Sequence, residues 1–256
     1  MKLEEITWVQ AGKYFKEHDS VIIPVGSTEC HGKHMPLGTD FLIPNKILER
    51  IDQKSDVLIA PTIPYGACDS LSDYPGTINI GDDVLYQLLD RVMGELYKHG
   101  ARRLLVLNGH GGNIKTIERL GYKYEKMGAY VVMLNWWLMA WELNPAWKGG
   151  HGGAEETAGV MAVNKDLVDY DFIDEPLVYK DIAEGFETTG FRTVKHNGVT
   201  VEIIRKTPNV TDNGWIGPDH PSKATEAWGK EMVETTADYI VQFAEDFKQV
   251  PLPKEQ

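Results

Sequence analysis

Residues 103–134 read RLLVLNGHGGNIKTIERLGYKYEKMGAYVVML, and the order of patterns within this stretch decides the fold class. Arg103 to Leu107 is an apolar run of strand length. The Gly-rich turn Asn108-Gly109-His110-Gly111-Gly112-Asn113 follows it. Ile114 to Met127 then reads as a helix closed by Gly128, and Ala129 to Leu134 as a further strand. Strands that are apolar throughout and joined by a helix indicate a parallel sheet covered on both faces by helices.

The same alternation extends outward through the first 165 residues. Ser20 to Val25 reads as a short buried strand, Ile43 to Ile51 as the first helix and Asp56 to Pro61 as a second strand. Val84 to His99 is an amphipathic helix with apolar residues at Val84, Leu85, Leu88, Leu89, Val92 and Leu96, ending before Gly100. After Asp171 the pattern changes. Thr189 to Lys195 and Val199 to Lys206 flank His196-Asn197-Gly198, and Asn-Gly is a strong hairpin signal, so a β-hairpin is expected to join the parallel core. Ser222 to Phe247 is a long helical pattern, and Pro251 and Pro253 mark a polar tail. The expectation is one α/β domain over residues 1–256, with a mostly parallel sheet flanked by helices, a C-terminal β-hairpin and a terminal helix.

Composition narrows the function. Hydrophobic residues make up 42% and charged residues 25%, ordinary globular values. Twenty-six Lys and Arg against 38 Asp and Glu give a net charge of -12, which repels nucleic-acid backbones and anionic lipid. The N-terminal residues form no signal peptide, and no run approaches the ~20 apolar residues of a membrane span, so a cytoplasmic protein without nucleic-acid or membrane partners is expected. Cys30 and Cys68 form no CxxC pair and read as reduced thiols. Cys30 lies between Glu29 and His31, and a nucleophilic thiol wants a cationic neighbourhood rather than an adjacent carboxylate.

In open parallel sheets, ligands bind beyond the carboxyl ends of the strands. After the first strand come Glu29, His31 and Asp40; after Leu107 comes His110; shortly after Leu134 comes His151-Gly152-Gly153-Ala154-Glu155-Glu156-Thr157. Glu29 and His31 are two apart, so in an extended loop they share a side, and Asp40 returns to them after the Pro36 and Gly38 turns. Zn and Mn accept this mixture of imidazole and carboxylate, and a carboxylate can bridge two ions. Any one of these residues alone reads as a surface group; four of the eight histidines in strand-terminal, Gly-rich loops do not. The Gly111 and Gly112 turn before Ile114 suits a phosphate cradle or, better for a hydrolase, an oxyanion site that contacts substrate. Trp136, Trp137, Trp141 and Trp147 read either as core or interface packing or as an apolar wall over the substrate, for which Trp136 and Trp137 are the candidates.

With these residues in view, the chain resembles the creatininase (creatinine amidohydrolase) family. The resemblance rests on residues 24–32 (PVGSTECHG), 36–40 (PLGTD), 108–113 (NGHGGN) and 151–157 (HGGAEET), with 214–218 (GWIGP) fitting the family's ending. It implies an α/β domain with a binuclear Zn, Mn or Fe site, commonly assembled as a homohexamer. Carried over, Glu29, Asp40 and His110 would hold one ion, His31, Asp40 and Glu156 the other, and His151 would act as general acid or base. Creatininase has a glutamate where this chain has Gly112, so Glu156 becomes the substitute ligand, as in relatives with the same Gly-Gly-Asn pattern. Lys33 and Ala158 stand where proline and serine are usual. Those relatives include deformylases, a peptide-maturing peptidase and hydrolases that open cyclic diketones from inositol.

The function expected is metal-dependent hydrolysis of a small, polar, cyclic substrate at an amide or formamide C–N bond. The alternative is C–C cleavage of a cyclic diketone in inositol catabolism, of the 3-dehydro-scyllo-inosose type. A non-catalytic metal- or sugar-binding protein is the alternative from another class, and the presence of His151 speaks against it. Glu155 competes with Glu156 as ligand, facing about 100° away if both lie on a helix.

Overall fold

Parallel pairing around β1 (Ser20–Val25) organises the chain. In the computed structural model, which describes residues 1–256, β1 pairs on one side with β2 (Leu58–Ile59) and on the other with β3 (Arg103–Asn108). Strand β3 pairs in turn with β4 (Tyr130–Asn135), giving the order β2-β1-β3-β4. Ser20 lies opposite Arg103 and Val25 opposite Asn108, while Asn108 lies opposite Asn135, so β1, β3 and β4 end level with one another. The loops that follow them therefore emerge side by side.

Alternation along the strands sends residues to opposite faces. Val21, Ile23, Val25, Leu104 and Val106 pack beneath α1 (Trp8–Glu17), α3 (Gly81–His99) and α4 (Ile114–Lys126). Ile22, Leu105 and Leu107 pack against α2 (Thr39–Lys54), α5 (Trp136–Leu143), α6 (Ala154–Asn164) and the long α7 (Glu226–Phe247). The result is a three-layer α/β fold with a core on each face of the sheet. No helix is long and apolar enough to cross a membrane.

Several elements depart from expectation for local reasons. Helix α1 was not foreseen: of its residues only Tyr14 is buried, and its start is marked by a capping box between Thr7 and Gln10 rather than by an apolar stripe. Helix α2 starts at Thr39, four residues before the expected Ile43, because Pro44 in its second turn withdraws only one N–H. Strand β2 keeps two residues of the expected Asp56 to Pro61 run. Helix α7 begins at Glu226, where Thr225 caps the Trp228 N–H; Ser222 lies in a separate 3-10 turn. The hairpin is present, with Asn197 at φ 47° and Gly198 at φ 82° joining β6 (Thr193–His196) to β7 (Val199–Glu202). It does not extend the parallel core: with β5 (Glu187–Thr188) it makes a separate three-stranded antiparallel sheet, and His196 lies in a strand rather than in the turn.

Candidate metal centre

The connections of β1 and β3 depart to opposite sides of the sheet, which opens a crevice at their carboxyl ends. Glu29 and His31 enter it from the loop after β1, His110 from the loop after β3, and Asp40 from the first turn of α2. His151 and Glu156 come from the start of α6. The loops after β1 and β3 sit against the backbone of Asp40. A Cβ at Gly26 would lie 2.5 Å from the Asp40 carbonyl oxygen, and one at Gly109 would fall inside it. Pro44 has no N–H to close that carbonyl, and only glycine leaves room for the neighbouring loops to approach it.

These side chains converge tightly. His31 Nε2 lies 2.9 Å from Asp40 Oδ1 and 3.7 Å from Glu156 Oε2. His110 Nδ1 lies 3.1 Å from both Glu29 Oε1 and Asp40 Oδ2, and His151 Nδ1 lies 3.9 Å from Glu29 Oε1. Donor atoms of Glu29, Asp40 and His110 form one group able to hold a metal ion, those of His31, Asp40 and Glu156 a second, and those of Glu29, His31 and His151 a third.

The second nitrogen of each imidazole explains the orientation. His31 Nδ1 is 3.1 Å from the Glu29 carbonyl oxygen, and His110 Nε2 is 3.0 Å from that of Ala67. A carbonyl only accepts, so these nitrogens carry protons, and His31 Nε2 and His110 Nδ1 turn lone pairs toward carboxylate oxygens. Both Glu29 oxygens, Asp40 Oδ2, His31 Nε2 and His151 Nε2 are buried without a hydrogen-bond partner. Lone pairs facing lone pairs at about 3 Å require a cation or a proton between them.

The electrostatics follow the same geometry. Burial raises the Glu29 carboxyl above the ordinary range, against the attraction of His110. Burial also pulls His31 down, but the carboxylates of Asp40, Glu156 and Glu29 overcome it and hold the ring up to about 10. Asp40, facing two imidazoles, stays well below the usual carboxylate range despite its burial. Burial pushes Glu156 up to about 7. His151, buried beside His31, falls well below an ordinary imidazole. The site is thus a buried cluster of carboxylates and imidazoles whose charges depend on one another.

Helix α6 separates the two adjacent glutamates. Glu156 points to His31 and accepts the Gly152 N–H at 2.7 Å. Glu155, 1% exposed, accepts instead from Trp141 Nε1 at 2.6 Å. Asp219 caps this helix from 64 residues away, accepting the Glu155 N–H at 3.0 Å. The glycines around it make room: a Cβ at Gly149 or Gly153 would lie 2.9 or 2.5 Å from the Asp219 carboxylate. His151 is pinned by the Ile216 N–H, which donates to its carbonyl at 2.7 Å.

A cavity of about 480 Å³ opens over the cluster, lined in part by Glu29, Asp40, His110, His151 and Glu156. Gly111 and Gly112 line it too, but in different ways. A Cβ at Gly111 meets nothing within 4 Å, whereas one at Gly112 would run into the Ala67 carbonyl and the His110 ring. Gly112 therefore serves the placement of His110, and a longer side chain has no room there. Trp137 lines the cavity, but Trp136 does not. It is 1% exposed within the core, because Trp136 and Ala140 face the sheet while Trp137 and Trp141, four residues apart on α5, face the cavity. Trp147 is likewise core. Sequence reasoning did not single out Cys68, Lys115, Phe191 or Arg192 as lining residues; the last two lie in the turn between β5 and β6, in a stretch whose pattern signals a hairpin but not what that hairpin packs against.

Comparison with known proteins agrees with this architecture. The family model described as "Creatininase: Creatinine amidohydrolase" matches residues 4–244. The chain is 30% identical over 196 residues to the creatinine amidohydrolase of Pseudomonas putida, covering 67% of this chain and 75% of that protein. It is 31% identical over 138 residues to the 3-dehydro-scyllo-inosose hydrolase of Thermotoga maritima, covering 52% of this chain and 44% of that protein. A crystal structure of creatininase shares the fold with a TM-score of 0.75 at 23% identity, over 97% of this chain and 98% of that one. Structures described as Mn and as Zn-Zn creatininase superpose at TM-scores of 0.74 and 0.72. With the fold, the strand-end cluster and a family match over nearly its whole length, the chain belongs to the creatininase family and is a hydrolase of that family.

Proposed function

We propose that the chain hydrolyses a C–N bond of a small, polar, cyclic amide at a centre of two divalent ions. Glu29, Asp40 and His110 would hold one ion, and His31, Asp40 and Glu156 the other, with Asp40 common to both groups. One observation carries this reading: the His31 and His110 rings face opposite oxygens of the Asp40 carboxylate, beside Glu29 oxygens that are buried without a hydrogen-bond partner, so that two groups of candidate ligands share Asp40. The donor set, imidazole nitrogen with carboxylate oxygen, suits Zn or Mn. Such ions supply Lewis acidity, polarising a carbonyl and lowering the pKa of a water toward neutrality.

The chain's own residues do the rest. His151 is held by the Ile216 contact, between the His31 ring at 4.3 Å and the Phe191 ring at 5.0 Å, with its Nε2 free of protein partners. It would take a proton at Nε2 from the water whose oxygen bonds to the carbonyl carbon and deliver it to the nitrogen as the C–N bond breaks. Trp137 and Trp141 give the cavity an apolar stretch of wall, and the open space at Gly111 admits the substrate. Cleavage of a C–C bond in a ring diketone is the second reading, favoured by the likeness to the Thermotoga maritima enzyme; the amide reading ranks first because its relative aligns over more of the chain. The test is a panel of cyclic amides, formamides and ring diketones assayed before and after chelation. Activity that a chelator abolishes, that added Zn or Mn restores and that Asp40→Ala lacks agrees with the proposal; full activity in chelated protein refutes it.

A further inference from the structure

The cavity wall opposite the core carries a cation with no partner. Of the seven arginines in the chain, five are engaged. Arg50 pairs with Glu234, Arg103 with Asp19, and Arg205 binds the Thr188 hydroxyl and backbone carbonyls. Arg102 and Arg119 lie over the rings of Tyr97 and Tyr86. Arg91 and Arg192 have neither ion pair nor aromatic partner, and of these two only Arg192 lines the cavity.

Its backbone, in contrast, is fixed. The Ile203 N–H donates to the Arg192 carbonyl at 2.7 Å, the Thr189 N–H donates to that of Thr193 at 2.9 Å, and Thr193 enters the β6–β7 ladder opposite Glu202. The preceding Phe191 ring packs edge-on against His151. A pinned turn thus holds an unengaged guanidinium over a cavity that also contains the proposed proton carrier. The other exposed charges of the rim divide by sign. Asp69 accepts from Asn79 Nδ2 at 2.6 Å and Asp82 from the Thr116 hydroxyl at 3.3 Å, while Lys115, like Arg192, has no partner.

A guanidinium fork that declines the carboxylates of its own acidic chain, yet is held at the mouth of a small-molecule site, matches an oxyanion carried by the ligand. We propose that Arg192, assisted by Lys115, is a specificity-determining residue that binds a carboxylate or phosphate group of the substrate. The inference rests on the hydrolase reading for the position of the reacting group, but the anion preference itself is independent of bound metal.

The test uses two matched pairs of probes, orotate against uracil for a carboxylate and uridine 5′-monophosphate against uridine for a phosphate. Dissociation constants are measured calorimetrically for the wild type, Arg192→Met and, as a control, Arg91→Met, with metal per chain determined on the same samples. In the wild type the anionic member of one pair binds about tenfold or more tighter than its neutral partner, consistent with one charge-assisted contact. Arg192→Met brings that ratio close to one without changing the neutral probe, and Arg91→Met leaves the ratio intact. The pair that shows the preference identifies carboxylate or phosphate as the group. No anion preference in either pair, or a preference that survives Arg192→Met, overturns the proposal. Metal-free wild type retains the preference, and a metal count per chain that stays at zero in samples loaded with Zn or Mn counts against the metal reading alone.

Discussion

Glu156 and Glu155 offer a sharp discrimination, because one helical step separates a proposed metal ligand from a residue hydrogen-bonded to Trp141. Glu156→Gln keeps the shape of the side chain and an oxygen to accept the Gly152 N–H, so the fold is retained. Without metal, at pH 8, the wild type carries at Glu156 a buried carboxyl raised to about 7, and glutamine removes that charge; the chelated variant is at least as stable as the wild type. With metal the order reverses. An ion at 100 times its dissociation constant adds about 2.7 kcal/mol, so two add roughly 5.5 kcal/mol. Glu156→Gln retains only one ion's share, roughly half, whereas Glu155→Gln retains both. Urea unfolding at pH 8, with chelator and with excess Zn or Mn, measures the difference, and elemental analysis counts ions per chain. If Glu156→Gln holds two ions with the full stabilisation, or Glu155→Gln drops to one, the ligand assignment is wrong.

Gly109→Ala places a methyl against the Asp40 backbone, where no flexible side chain can yield, and destabilises the protein by about 3 kcal/mol in urea unfolding. Gly111→Ala, with open space around it, stays within about 0.5 kcal/mol, and equal effects would contradict the packing argument. Asp219→Ala removes the cap of α6 and costs about 1–2 kcal/mol, most of which Asp219→Asn recovers; identical melting of the two variants would remove the capping role. Burial holds His34 at about 4, below the 6.5 of an exposed imidazole, so the unfolded chain takes up a proton that the folded one refuses. Its contribution is complete above pH 6.5 and is lost as pH falls toward 4, about 3 kcal/mol in all; His34→Gln flattens that part of the stability profile, and an unchanged slope excludes the effect.

The parallel core was legible because its strands are buried on both faces and therefore apolar throughout, as Arg103 to Leu107 shows, with glycine turns marking where each strand ends. The cluster was legible for a related reason: residues that follow level strand ends must be neighbours, so Glu29, His31 and His110 meet whatever the rest of the chain does. Asp40 needed the loop to return, and Glu156 needed a helical register that two adjacent glutamates leave open in the sequence. Two kinds of information stayed hidden. Which face of α5 meets the cavity depends on how α5 docks against α7 and the sheet, and an almost wholly apolar segment such as Trp136 to Leu143 has no polar side to reveal it; Trp136, expected at the substrate wall, lies in the core for that reason. The contributions of Phe191 and Asp219 depend on contacts with residues 40 or more away in sequence, made by short strands and turns whose own patterns say nothing of their destination. The difference follows from how each part is built. Most of the candidate cluster follows the ends of parallel strands, whose apolar pattern and βα alternation are visible in the sequence, while the outer wall of the cavity is assembled from the C-terminal segments, whose positions only the folded chain defines. Four of the five proposed ligands are therefore read from the first half of the sequence, whereas Glu156 and the selectivity proposed for Arg192 rest on residues that the sheet does not constrain.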